Sequence, residues 1–177
     1  MKKLMILFAF ASLAWAPNAY AVDKDDDVKQ DTDEHIAYDE NETLGASAKL
    51  EKQFPKEAAQ IKEALNNHIM HAQTHDLDAY LADFMPSRVR YPEQAKAYAQ
   101  RAMALKNLDL KLLAVEFATL TPQNATVHTR QVTSYTDDNG NTIVDDAIIS
   151  YRWIKDASDN IWKIGLTERR RLSANSK

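Results

Sequence analysis

The chain has 177 residues, 45% of them hydrophobic, with no cysteine and a formal net charge of −4. That composition suits one domain with a sizeable core. It excludes a disulfide scaffold and a cysteine nucleophile, and it offers nucleic acid no basic surface of any extent.

Residues 1–21 read as an export signal. Lys2 and Lys3 form the basic start, Leu4 to Trp15 the apolar stretch, and Ala19-Tyr20-Ala21 a small-x-small cleavage site. The apolar stretch is short for a bilayer span. No cysteine follows the predicted cut after Ala21, so no lipid or other membrane anchor is expected, and the expected compartment is a bacterial periplasm. Residues 22–47 are expected to form an acidic tail. Ten Asp or Glu between Asp23 and Glu42 face only Lys24 and Lys29, a net of −8 over residues 22–42, whereas residues 43–177 sum to +2. Sparse apolar side chains and high charge predict disorder there. The acidic spacing lacks the glycine turn and closing glutamate of a calcium loop.

The folded domain is expected over residues 48–172, followed by a short tail, 173–177. Ala46 to Phe54 predicts a short helix stopped by Pro55. The main helix is predicted from Lys56 to about Thr74, because Ala58, Ile61, Leu65, Ile69 and Ala72 recur at helical spacing. Leu77 to Phe84 predicts a second short helix started by Asp76 and Asp78. Arg88 to Tyr91 reads as a short strand, and Pro92 opens a third helix reaching Leu105.

Four strand-like runs follow between Leu108 and Arg169. In the first, Leu108, Leu110 and Leu112 alternate, then the pattern slips to Leu113, Val115 and Phe117. A slip of one residue predicts a β-bulge. The second, Ala125 to Tyr135, places Val127, Thr129, Thr133 and Tyr135 on one face and His128, Arg130 and Val132 on the other. Asp137 to Asn141 has turn chemistry. The third, Thr142 to Ile154, sets Ala147, Ile149, Tyr151 and Trp153 against Ile148, Ser150, Arg152 and Ile154. Asp156 to Asn160 turns the chain again. The fourth, Ile161 to Arg169, aligns Trp162, Ile164 and Leu166. Short polar turns between such runs imply an α+β fold with a bent antiparallel meander.

The long helix, the segment His75-Asp76-Leu77-Asp78-Ala79-Tyr80-Leu81-Ala82-Asp83-Phe84, a third helix and a meander ending Trp162-Lys163-Ile164 resemble the nuclear transport factor 2-like superfamily. That group includes ketosteroid isomerases, SnoaL-like cyclases and many non-catalytic binding modules. The resemblance covers about residues 50–170. It implies a cone-shaped curved sheet wrapped around the long helix, a pocket at the open end, and a homodimer formed through the sheet. Against the isomerase branch, His68 stands where that branch has a tyrosine, Tyr91 where it has the catalytic aspartate, and Ile149 near its protonated aspartate. A proton shuttle needs a base and an oxyanion donor in reach. Tyr91 is a poor base at neutral pH and Ile149 donates nothing, so the resemblance argues against that activity.

The pocket candidates are His68, Tyr80, Phe84, Tyr91, His128, Arg130 and Arg152. His68 flanks the apolar stripe of the main helix, while the helical wheel turns His71 toward solvent. His71 and His75, four apart, have zinc-chelating spacing but lack a clear third ligand, so no metal and no cofactor is expected. His128, Arg130 and Arg152 would suit an anionic ligand if their face were concave. Tyr151, Trp153 and Trp162 are expected in the core. Asp145 and Asp146 point to opposite faces and are expected in water near a strand edge. Arg169-Arg170-Arg171 reads as a solvated end, or as a partner for the acidic tail. The expected function is a non-catalytic binding or interaction module with a small, mainly apolar pocket for an apolar or anionic ligand. Two alternatives stand beside it: a SnoaL-like enzyme using His68 or Asp83 as acid or base, and an interaction protein working through the tail.

Overall fold

Pro55 divides the first helical stretch in two. The computed structural model describes residues 40–89 and 92–173. The export signal, most of the acidic tail and Tyr91 lie outside them. Helix α1 spans Glu40–Gln53 and helix α2 spans Pro55–Gln73, with Pro55 at the first helical position, where its missing N–H removes nothing. α1 therefore begins inside the stretch expected to be tail. Its support is tertiary: the helix packs along the first strand, and Ser47 Oγ accepts a 3.0 Å hydrogen bond from the Phe117 N–H. This also covers a sheet edge that would otherwise be open.

Helix α3, Leu77–Ala82, starts where Asp76 accepts from the Ala79 N–H at 3.0 Å. A single 3-10 turn, Pro86–Arg88, reaches the first residue of the strand expected over Arg88 to Tyr91, whose last two residues lie outside the described ones. Helix α4 is Pro92–Met103. The strands β1 (Lys106–Leu120), β2 (Asn124–Thr136), β3 (Thr142–Lys155) and β4 (Trp162–Ser173) form one antiparallel sheet in the order β1-β2-β3-β4. At the β2–β3 turn, Asp137 accepts from the N–H groups of Asn139 and Asn141, and Gly140 takes φ +85°.

Two irregularities shape the sheet. The β1–β2 register shifts between Leu112 and Ala114, where the alternation slips in the sequence, and turns Leu113 outward. The second lies in β4. Trp153 pairs with Ile164 but Arg152 pairs with Leu166, so Gly165 is extra. A Cβ at Gly165 would stand 2.7 Å from Ile154 Cδ1, so the bulge sits where a side chain is crowded out. Its effect is a change of parity. Trp162 and Ile164 are buried as expected, but Leu166 crosses to the outer face, and Thr167, Arg169 and Arg171 turn inward.

The core joins Ile61 and Leu65 of α2 to Phe117, Val127, Tyr151, Trp153 and Ile164 of the sheet. Each fully buried side chain of this size contributes about 1.5–3 kcal/mol. The inner face becomes polar along β2, where Thr129, Gln131 and Thr133 are all buried. Among the described residues no helix is long and apolar enough to cross a membrane.

Candidate functional site

Asp83 is fixed from two directions. Its carbonyl accepts from the Ile164 N–H at 2.8 Å and the Met85 N–H donates back to the Ile164 carbonyl at 2.9 Å, so the chain after α3 runs beside β4 as a single parallel bridge. Its carboxylate then meets α2. Oδ2 lies 2.9 Å from His68 Nδ1 and 3.0 Å from His71 Nδ1. The two histidines are three residues apart and share one helix face. His71 thus turns to Asp83 rather than to solvent, which corrects the helical-wheel reading. Both rings placing Nδ1 on one carboxylate makes Nδ1–H the donor in the neutral tautomer and leaves Nε2 as each ring's basic nitrogen.

His68 is the more deeply placed, with only 5% of its side chain exposed. Its ring stacks on Tyr80 at 4.5 Å and meets Phe84 and Tyr151 edge-on at 5.4 and 6.0 Å. Beside it is a recess lined by His68, Ile69, Ala72, Tyr80, Leu110, Gln131 and Tyr151, with a cavity volume of about 10 Å³. That is room for about one water molecule. Its polar wall is a chain of hydrogen bonds. Gln131 Nε2 donates to the Tyr151 hydroxyl at 2.8 Å and to Thr129 Oγ1 at 3.0 Å, and Thr129 donates to the Ile149 carbonyl at 3.2 Å. Burial pushes the Tyr151 phenol up to about 12, with the Gln131 hydrogen bond opposing. Tyr151 is therefore a neutral hydroxyl at any physiological pH.

Of the remaining pocket candidates, Tyr91 lies outside the described residues, and Phe84, His128, Arg130 and Arg152 do not line this recess. Phe84 packs behind it, against His68 and Tyr80. His128, Arg130 and Arg152 alternate with the buried residues of their strands and so lie on the outer face of the sheet. His128 Nδ1 is 2.8 Å from Ser150 Oγ, in a cross-strand row that continues to Glu116 and Glu168. Burial holds the His128 imidazole below its usual range, partly opposed by Glu116. Arg130 clasps Asp146 through Nε and Nη2 at 3.2 and 2.8 Å. His75 is exposed past the end of α2 with φ +60°. No group of three or more His, Asp or Glu among the described residues is placed to hold a metal ion.

Three residues of the interior escaped the sequence reading. Gln131 carries the polar wall of the recess, and its place in the alternation of β2 was the available signal. Asp145 and Arg169 pair on the inner face with 15% and 6% of their side chains exposed, whereas Asp145 was expected in water near a strand edge and Arg169 in a solvated end or against the acidic tail. The bulge at Gly165 accounts for the arginine.

No protein-family model matches the sequence, and no curated protein is similar to it. Solved structures are similar in shape. A candidate dehydratase of the nuclear transport factor 2-like family from Streptomyces avermitilis has a TM-score of 0.57 at 13% identity, covering 68% of this chain and 99% of its own. A candidate calcium/calmodulin-dependent protein kinase II association domain from Xanthomonas campestris has a TM-score of 0.57 at 16% identity, covering 67% and 89%. A cystatin-like protein of uncharacterised function from Caulobacter vibrioides has a TM-score of 0.55 at 12% identity, covering 67% and 92%. The chain has the nuclear transport factor 2-like, α+β cone fold. At these identities the likeness extends to the fold alone.

Proposed function

We propose that this protein is a non-catalytic interaction module, exported to the periplasm and self-associating through the outer face of its sheet. One observation carries the reading: among the described residues, the interior beside His68 is filled by side chains. Tyr80, Phe84, Tyr151 and Trp153 occupy the interior, and the recess beside His68 has the volume of a single water. Ligand sites for small molecules are commonly about 300–1,000 Å³. The Asp83–His68–His71 cluster then acts as a polar tie between α2 and the β4 edge. The outer face supports self-association by its mixture of chemistry: exposed Val144 and half-buried Val132 and Ile148 lie among Arg130, Asp146, Glu168 and Arg170.

The test is native mass spectrometry and analytical ultracentrifugation of residues 22–177 purified from the periplasm, wild type against V144E/I148E. A bare dimer that the double substitution converts to a monomer supports the module. A wild-type monomer, or an organic molecule retained at unit stoichiometry and released by H68F, overturns it.

A second reading has its own observation. With Nδ1 on Asp83, His68 presents Nε2 on the recess side, as a general base oriented by a carboxylate would. An enzyme of SnoaL-like type acting on a small hydrophobic substrate would require the recess to widen. Retention of an organic adduct by the wild type, and its loss in H68F, would favour it.

A further inference from the structure

Arg169 is a cation inside the cone, and among the described residues its hydrogen bonding is incomplete. The bulge at Gly165 turns it to the inner face, in the row Thr129–Ile149–Arg169. From there its guanidinium reaches along the sheet, past the small Ala147, to Asp145, which pairs with Thr133 on the same face. The contact uses Nη2. Nε is buried and finds no acceptor among the described residues. A buried unsatisfied donor on a charged group costs more than a neutral one, and it calls for a water, an ion or a functional reason.

A comparison within the same sheet shows what is missing. Arg130, on the outer face and far more exposed, grips Asp146 side-on through both Nε and Nη2. Arg169 gives Asp145 a single nitrogen. The difference lies in Asp145, which divides its carboxylate. Oδ2 goes to Arg169, while Oδ1 faces Arg171 Nε at 3.6 Å. Two guanidinium groups thus converge on one carboxylate. Burial lowers the Arg169 guanidinium to about 10, with Arg171 adding to the shift and Tyr135 opposing it, so the group remains charged at neutral pH. Arg171 has half of its side chain exposed and gives the pair a side open to solvent.

We propose that Arg169 and Arg171 form a binding site for a small monocarboxylate, whose oxygen accepts from the Nε–H of Arg169, which meets no acceptor among the described residues, and whose charge is shared with Arg171. A carboxylate matches the planar fork of an arginine, and Arg130 with Asp146 shows that geometry in this protein. The anion would approach past Arg171 and displace part of the Asp145 contact. The site does not depend on the recess beside His68 or on self-association.

The experiment is an NMR titration of the arginine Nε–Hε resonances in residues 22–177, using sodium acetate against sodium chloride at equal ionic strength. The Arg169 resonance is assigned by its disappearance in R169K. Because removing a buried cation can unfold the chain, R171Q serves as the second variant, at a half-exposed position. The expected result is a saturable shift of the Arg169 signal with acetate, absent with chloride, and weakened about tenfold or more in R171Q. No shift with acetate overturns the site. So does an equal shift with chloride, or an acetate affinity unchanged in R171Q. A dimer that dissociates on the V144E/I148E change while acetate still binds would separate the two proposals.

Discussion

Replacing Asp83 by alanine tests whether the histidine cluster is a structural tie. In the wild type, one carboxylate oxygen accepts from His68 and His71 at 2.9 and 3.0 Å. His68 is almost wholly buried, whereas Asp83 and His71 keep 18% and 22% of their side chains exposed. In D83A, water can reach His71, but the Nδ1–H of His68 is stranded among Tyr80, Phe84 and Tyr151. An unmet buried donor costs about 1–3 kcal/mol, and the lost charge-assisted bonds add to it, so D83A is expected to cost about 2–3 kcal/mol. H68F removes the donor but keeps an aromatic ring in the stack on Tyr80. Asp83 retains His71 and some water, so H68F should cost about 1 kcal/mol. In the double variant H68F/D83A the stranded donor is gone, and the total should fall about 1 kcal/mol or more short of the sum of the single changes. The assay is urea denaturation of the four proteins at constant slope. Strict additivity, or H68F as costly as D83A, would refute the argument, because the burial asymmetry would then have no consequence.

Gly165→Ala should destabilise by about 1–3 kcal/mol, since its Cβ meets Ile154 Cδ1 at 2.7 Å, and adding I154A should recover part of that loss. A thermal melt that shows no recovery would sink the crowding account. Tyr151 ionises near 12 when folded and near 10 when unfolded, so its contribution is complete below pH 10 and is lost as pH rises from 10 toward 12. Phenolate absorbance should therefore show one tyrosine ionising only as the protein unfolds, and Y151F should lack that step. His128 has its folded pKa below the unfolded value of 6.5, so its contribution is complete above pH 6.5 and is lost as pH falls below it. H128Q should flatten that acid-side decline in denaturation profiles, and an unchanged profile would rule out His128 as its source. Asp137, whose carboxyl is held low by backbone hydrogen bonds from Asn141 and Asn139, stabilises its turn above pH 3.8 and loses that effect at lower pH. In D137A, hydrogen exchange at that turn should accelerate at neutral pH and cease to depend on this titration.

Much of the architecture follows from residues acting within a few positions of themselves. The spacing of Ile61, Leu65 and Ile69 makes a helix with one apolar side, and the alternation of Val127 and Thr129 or of Tyr151 and Trp153 decides which face of each strand is buried. Asp137 and Gly140 close their turn with local hydrogen bonds and a positive φ. The slip at Leu113 was visible because a run of leucines marks the change of face. Each of these is a short-range property, and each was legible in the chain.

The interior chemistry was decided by tertiary register. In the run from Trp162 to Arg171 the isolated Gly165 is the one local hint of a bulge, and the alternation of Trp162, Ile164 and Leu166 runs through it unbroken. Only pairing with β3 reveals the extra residue, and that one residue sends Leu166 outward and Arg169 inward. The His68–Asp83 pair likewise spans fifteen positions of sequence and depends on the bridge that seats the chain after α3 against β4. Periodicity says which side a residue takes relative to its neighbours, but a bulge or a long-range bridge resets that phase, and its energy resides in contacts between segments that the sequence does not place side by side.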